Sequence, residues 1–78
     1  MSPIEKYNEV FITNLAVTAE QLPALTYQSV PAWDSVGHMG LITALEEAFD
    51  IMIDTDDIID FSSYEIGKGI LKKYNVNL

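Results

Sequence analysis

No cysteine occurs among these 78 residues, so neither a disulfide nor a thiolate metal site can hold the fold together. Arginine is absent as well. The four lysines stand at the two ends, Lys6, Lys68, Lys72 and Lys73, and no basic side chain lies between Lys6 and Lys68. That span has nothing to neutralise a phosphate backbone, which disfavours nucleic acid as a partner. No apolar run approaches the roughly 20 residues that cross a bilayer. The first residues, Met-Ser-Pro-Ile-Glu-Lys, show no basic-then-apolar pattern. The expected setting is therefore the cytoplasm, with no membrane partner. There is one histidine, His38, and no Gly-x-Ser-x-Gly elbow, which argues against a hydrolytic triad at Ser35. No repeat, low-complexity segment or second domain is visible, so residues 1–78 are read as one small domain, expected to be monomeric.

What is abundant is negative charge. The formal net charge is −8. Between the lysines lie Glu9, Glu20, Asp34, Glu46, Glu47, Asp50, Asp54, Asp56, Asp57, Asp60 and Glu65. Such a field steers basic protein partners, although solubility alone is the plainer reading of it. Asp54, Asp56 and Glu65 match the first, third and twelfth ligands of a calcium-binding EF-hand loop. Ile58 and Ile59 occupy its fifth and sixth places, where an oxygen ligand and a glycine are needed, so no metal site is expected.

The apolar spacing is helical almost throughout. Ser2-Pro3-Ile4-Glu5 reads as a capping box with proline at the first helical position, starting a helix over residues 3–15 with Ile4, Tyr7, Val10 or Phe11, and Leu15 inward. Residues 16–34 form a long connection interrupted by Pro23 and Pro31. Thr18-Ala19-Glu20-Gln21 is able to start one short turn, and Leu22, Leu25, Tyr27, Val30 and Trp33 are candidates to pin the loop. A second helix is expected from Ser35 or Val36 to Phe49, a short third over 54–60, and a fourth over 63–74 opened by a Ser62–Glu65 capping box. The expected core is Val36, Met39, Ile42, Leu45, Phe49, Ile58, Ile66 and Ile70. The fold class is therefore all-α: a small four-helix bundle with a long loop between helices one and two and a short third helix.

Ser35 directly follows Asp34 at the expected first turn of helix two. A helix start leaves backbone N–H groups unpaired and carries the positive end of the dipole, which suits a phosphate ester on the hydroxyl. On its own, a serine or aspartate in this place is a helix cap. The surrounding residues add more. Trp33-Asp34-Ser35-Val36-Gly37-His38-Met39, running into Leu45-Glu46-Glu47-Ala48-Phe49-Asp50-Ile51, resembles the acyl carrier protein family. In that family the serine of an Asp-Ser-Leu-like motif carries 4'-phosphopantetheine; here Val36 stands in place of the usual leucine.

The resemblance implies a carrier, not an enzyme. Ser35 would be the covalent attachment site for 4'-phosphopantetheine from CoA. Asp34 would assist the phosphopantetheinyl transferase. Acyl intermediates would be held as thioesters and presented to acyl-activating, acyltransferase or ketosynthase-type enzymes. Val36, Met39, Glu46, Glu47, Asp50, Asp54, Asp56, Asp57 and Asp60 would form the partner-binding surface, and apolar chains would slip between helices two and three near Met39, Thr43 and Ile58. His38 is read as a partly exposed helix residue or as a contact of the arm's phosphate. The chain departs from fatty-acid-synthesis members: Pro31-Ala32-Trp33 replaces their glycine-alanine, and Gly37 and Gly40 replace acids. That points to a specialised lipid, polyketide-like, secondary-metabolite or surface-polysaccharide pathway. The two glycines would bare one strip of helix two beside Ser35. The rival readings are an aminoacyl or peptidyl carrier, and an acidic interaction module without a prosthetic group.

Overall fold

The computed structural model describes residues 1–78 and contains helices and no strands. Helix α1 spans Pro3–Leu15. It begins on the expected capping box: the Glu5 N–H donates to Ser2 Oγ at 3.4 Å, and the Ser2 N–H donates to Glu5 Oε1 at 3.1 Å. It ends at Ala16, in the left-handed region at φ 55°. A 3₁₀-helix over Ala19–Ala24 comes next, started where the Thr18 N–H donates to Gln21 Oε1 at 2.8 Å. Helix α2 covers Ser35–Phe49, α3 covers Thr55–Asp60 and α4 covers Tyr64–Lys72.

The core is centred on a cluster of aromatic rings set among buried Leu, Ile and Val side chains. Tyr7, Phe11 and Leu15 recur every four residues along α1 and are all buried. Phe11 lies edge-on to Trp33 at 5.7 Å and to Tyr64 at 5.3 Å, and stacks on Phe61 at 6.1 Å. Such pairs contribute about 0.5–1.5 kcal/mol each beyond the area they bury. The Tyr7 hydroxyl donates to the Tyr64 carbonyl at 2.7 Å, and the Tyr64 hydroxyl donates to the Asn8 side chain. Gly67 makes this density possible, because a Cβ there would sit 2.2 Å from the Phe61 ring and 2.3 Å from the Tyr7 hydroxyl.

The expected core needs correction. Ile42, Leu45 and Ile70 are buried, and Phe49 and Ile58 are packed against the cluster, but Val36, Met39 and Ile66 are exposed. The inward face of α2 is His38, Leu41, Ile42 and Leu45. Its phase is set at Gly37, which faces the Ala32 carbonyl so closely that a Cβ would lie 1.8 Å from that oxygen. With Gly37 turned against the preceding loop, residues 36 and 39 point outward. The rotation in α4 has a similar origin: Gly67 and Leu71 face the rings, which turns Ile66 outward. The Ser62–Glu65 capping box does not form. Ser63 is the cap, and its Oγ accepts from the Ile66 N–H at 3.0 Å.

The 16–34 connection is tied down rather than loose. Leu22, Leu25 and Trp33 are buried, while Tyr27 lies at the surface. The Tyr27 N–H donates to the Ser62 carbonyl at 2.8 Å, and the Tyr64 N–H donates to the Leu25 carbonyl at 3.0 Å, so the loop is joined to the start of α4. No helix is long and apolar enough to cross a membrane.

Candidate functional site

Ser35 is the first residue of α2 and is exposed. The cap is Asp34, not Ser35. Asp34 has extended backbone, and its Oδ1 accepts from the Gly37 N–H at 2.8 Å. Its carbonyl accepts the His38 N–H at 2.7 Å, the first bond of the helical ladder. Helix geometry leaves the N–H groups of Ser35 and Val36 without intrahelical acceptors, beside the serine hydroxyl. Gly37 and Gly40 do not form one bare strip: Gly37 is covered by the Ala32 carbonyl, whereas Gly40 faces open space.

Beside Ser35 runs a groove of about 360 Å³, near the lower end of the size range of ligand sites. Ser35, His38 and Met39 of α2 form one side, Ile58 and Ile59 of α3 the other, and Tyr27, Phe61 and Ser62 close the end. Thr43, expected near such a passage, does not line it. Val36, Met39 and Ile59 are 82, 51 and 72% exposed, so the serine sits within an apolar patch of surface.

His38 lines the groove on its α2 side. The Trp33 indole N–H donates to its Nδ1 at 3.0 Å, and its Nε2 lies 2.8 Å from the Ile58 carbonyl. An indole only donates and a carbonyl only accepts, so the ring is the neutral tautomer with its proton on Nε2. Both nitrogens are thereby committed. Neither is left to act as a base on Ser35 or to meet a phosphate. Tyr27 lies edge-on to this imidazole at 5.5 Å, and Trp33 stacks on it at 6.2 Å.

The acids fall into two groups. Glu47, Asp50, Asp54, Asp56 and Asp60 are exposed from the end of α2 through α3. Glu46 is half-buried, and its Oε2 accepts from the Ile53 N–H at 2.9 Å, holding the α2–α3 link. Asp57, expected on the partner-binding surface, is buried at 6% exposure. Its carboxylate takes Lys73 Nζ on Oδ1 and the Tyr74 hydroxyl on Oδ2, each at 2.5 Å. The same hydroxyl accepts the Asp54 N–H at 3.0 Å. The bond from Lys73, then that from Tyr74, hold the Asp57 carboxyl below its ordinary value. The bond to Asp57 in turn raises Lys73 and Tyr74 above theirs. Asp57 is thus a structural anchor, for which the available signal is its place four residues from Ile53 and four from Phe61, both buried. No three histidine, aspartate or glutamate side chains converge to hold a metal ion, Asp54, Asp56 and Glu65 included.

The structure thus brings Ser35 together with Met39 and Ile58, as expected, and with His38, whose two ring nitrogens are engaged elsewhere; it adds Tyr27, Ile59, Phe61 and Ser62, which the sequence did not place beside the serine. No family model matches the chain, and no curated protein or solved structure matches it either.

Proposed function

We propose that this protein is an acyl carrier, with a 4'-phosphopantetheine arm joined to Ser35. The observation that carries the reading is the position of that residue: an exposed hydroxyl, first in a capped helix, on the rim of an apolar groove. These residues suit the group. The hydroxyl is open to a modifying enzyme, the free N–H groups of the first turn favour a phosphodiester, and the groove offers apolar contact to the pantetheine beyond the phosphate. When bound, the arm supplies a thiol that stores an acyl group as a thioester.

In the loading reaction Ser35 Oγ bonds to the phosphorus bearing pantetheine. The pyrophosphate P–O bond of coenzyme A breaks, the adenosine bisphosphate half leaves, and the hydroxyl proton passes to a base of the transferase. Asp34 fixes the start of α2 and so the place of the nucleophile. Val36, Met39 and Ile59 give partners an apolar contact, and Glu47, Asp50, Asp54, Asp56 and Asp60 select basic ones. The chain itself supplies position and recognition, and the chemistry belongs to its partners.

The test is intact mass after incubation with coenzyme A and a phosphopantetheinyl transferase of broad specificity. The expected result is a gain of one phosphopantetheine in the wild type and none in Ser35→Ala. An unmodified wild type, or equal gain in the variant, overturns the reading.

A further inference from the structure

We infer that the cargo of this carrier is a short acyl group lying in the surface groove beside Ser35, and that no long alkyl chain is stored in the core. The inference rests on the carrier reading of Ser35 and adds the class of substrate. A chain tethered at Ser35 that enters the interior between α2 and α3 has to pass His38, which lines the groove there and is bonded on one side to the Trp33 indole and on the other to the Ile58 carbonyl. The space around that imidazole is filled: Trp33 stacks on it, Phe61 lies edge-on to it at 6.2 Å, and Trp33 and the neighbouring Phe11 are wholly buried.

Admitting a chain requires both His38 bonds to break. The Trp33 N–H and the Ile58 carbonyl would then face apolar surroundings unpaired, which is unfavourable. The protein offers no enclosed cavity in compensation, since its four depressions all open to solvent. The groove itself has apolar walls at Met39, Ile58 and Ile59 and hydroxyl-bearing residues at its rim, Tyr27, Ser35 and Ser62. It suits the arm's end with a small acyl group. A long alkyl tail overruns it into water.

The experiment loads the full chain at Ser35 from butanoyl-CoA and from hexadecanoyl-CoA with the same transferase. The melting temperature and the retention on a hydrophobic-interaction column are then measured for each product. The inference expects melting temperatures within about 2 °C of each other and retention that rises strongly with chain length, because the longer tail stays outside. A hexadecanoyl form melting more than about 10 °C higher, with retention unchanged, shows a chain taken into the core and overturns the inference while leaving the carrier reading intact. Failure of either donor to add mass at Ser35, in a preparation that also rejects coenzyme A, removes the carrier reading and this inference with it.

Discussion

The indole of Trp33 donates its only proton to Nδ1 of His38, five residues further along the chain and 3.0 Å away. One residue belongs to the loop and the other to α2, and the imidazole carries the link on to the Ile58 carbonyl of α3. Replacing His38 by alanine strands an N–H and a carbonyl at once. The expected loss is about 2–4 kcal/mol of unfolding free energy, read by urea denaturation. His38→Gln keeps a donor and an acceptor and is expected to recover part of it. An unchanged midpoint in His38→Ala contradicts the bridging role.

The two glycines of α2 predict opposite outcomes. A methyl group at Gly37 would collide with the Ala32 carbonyl, which is backbone and has little room to yield. Gly37→Ala is expected to cost about 1–3 kcal/mol. Gly40 meets nothing, so Gly40→Ala is expected to stabilise α2 by about 0.5–1 kcal/mol through helix propensity. Denaturation of the two single variants checks both signs.

The contact of Asp57 with Lys73 and Tyr74 gives stability a dependence on pH at both ends of the scale. Asp57 is held below its ordinary value of 3.8, so its contribution is present above that pH and fades as pH falls further. Lys73 and Tyr74 are raised above 10.5 and 10.0, so theirs is present below those values and fades as pH rises beyond them. The difference in melting temperature between the wild type and Asp57→Asn is expected to be level from about pH 5 to 9 and to narrow below about pH 3.8. A difference that widens in acid contradicts the assignment.

Asp34 has two proposed roles that substitution separates. Asp34→Ser retains a side-chain cap, so stability is expected to change by only a few tenths of a kcal/mol, whereas Asp34→Ala loses about 1 kcal/mol. If the carboxylate also serves loading, both variants gain phosphopantetheine more slowly than the wild type. A fully active Asp34→Ser reduces this residue to a cap.

The exposed apolar residues around Ser35 make a further distinction. Ile59→Ser and Val36→Ser are expected to alter stability by no more than about 0.5 kcal/mol, since neither side chain is packed. On the carrier reading, their effect is expected in recognition, as a higher KM for the protein in the loading reaction; an unchanged KM removes these side chains from the docking surface.

The helices were legible because their signals are local. The capping box at Ser2 and Glu5 is complete within four residues, and α1 occupies the expected 3–15 span. Ser35 at the head of α2 was legible for the same reason. The phase of α2 was not, because it depends on the Ala32 carbonyl and hence on how the preceding loop folds back. Asp57 was hidden by the same non-locality: its partners lie 16 and 17 residues away. The role of His38, read from the sequence as a partly exposed helix residue or a phosphate contact, depends on Trp33 and Ile58, which both reach it from other elements.

The joining of Leu25 and Tyr27 to Ser62 and Tyr64 bears on the order in which the molecule is made. Synthesis delivers the serine-bearing helix well before the partners that anchor the loop leading into it. A nascent polypeptide still short of residues 62–74 lacks the ties on Leu25 and Tyr27, the Lys73–Tyr74 hold on α3, and the groove end at Ser62. The loop ahead of Ser35 and the end of the groove therefore take their final form only once residues 62–74 have emerged.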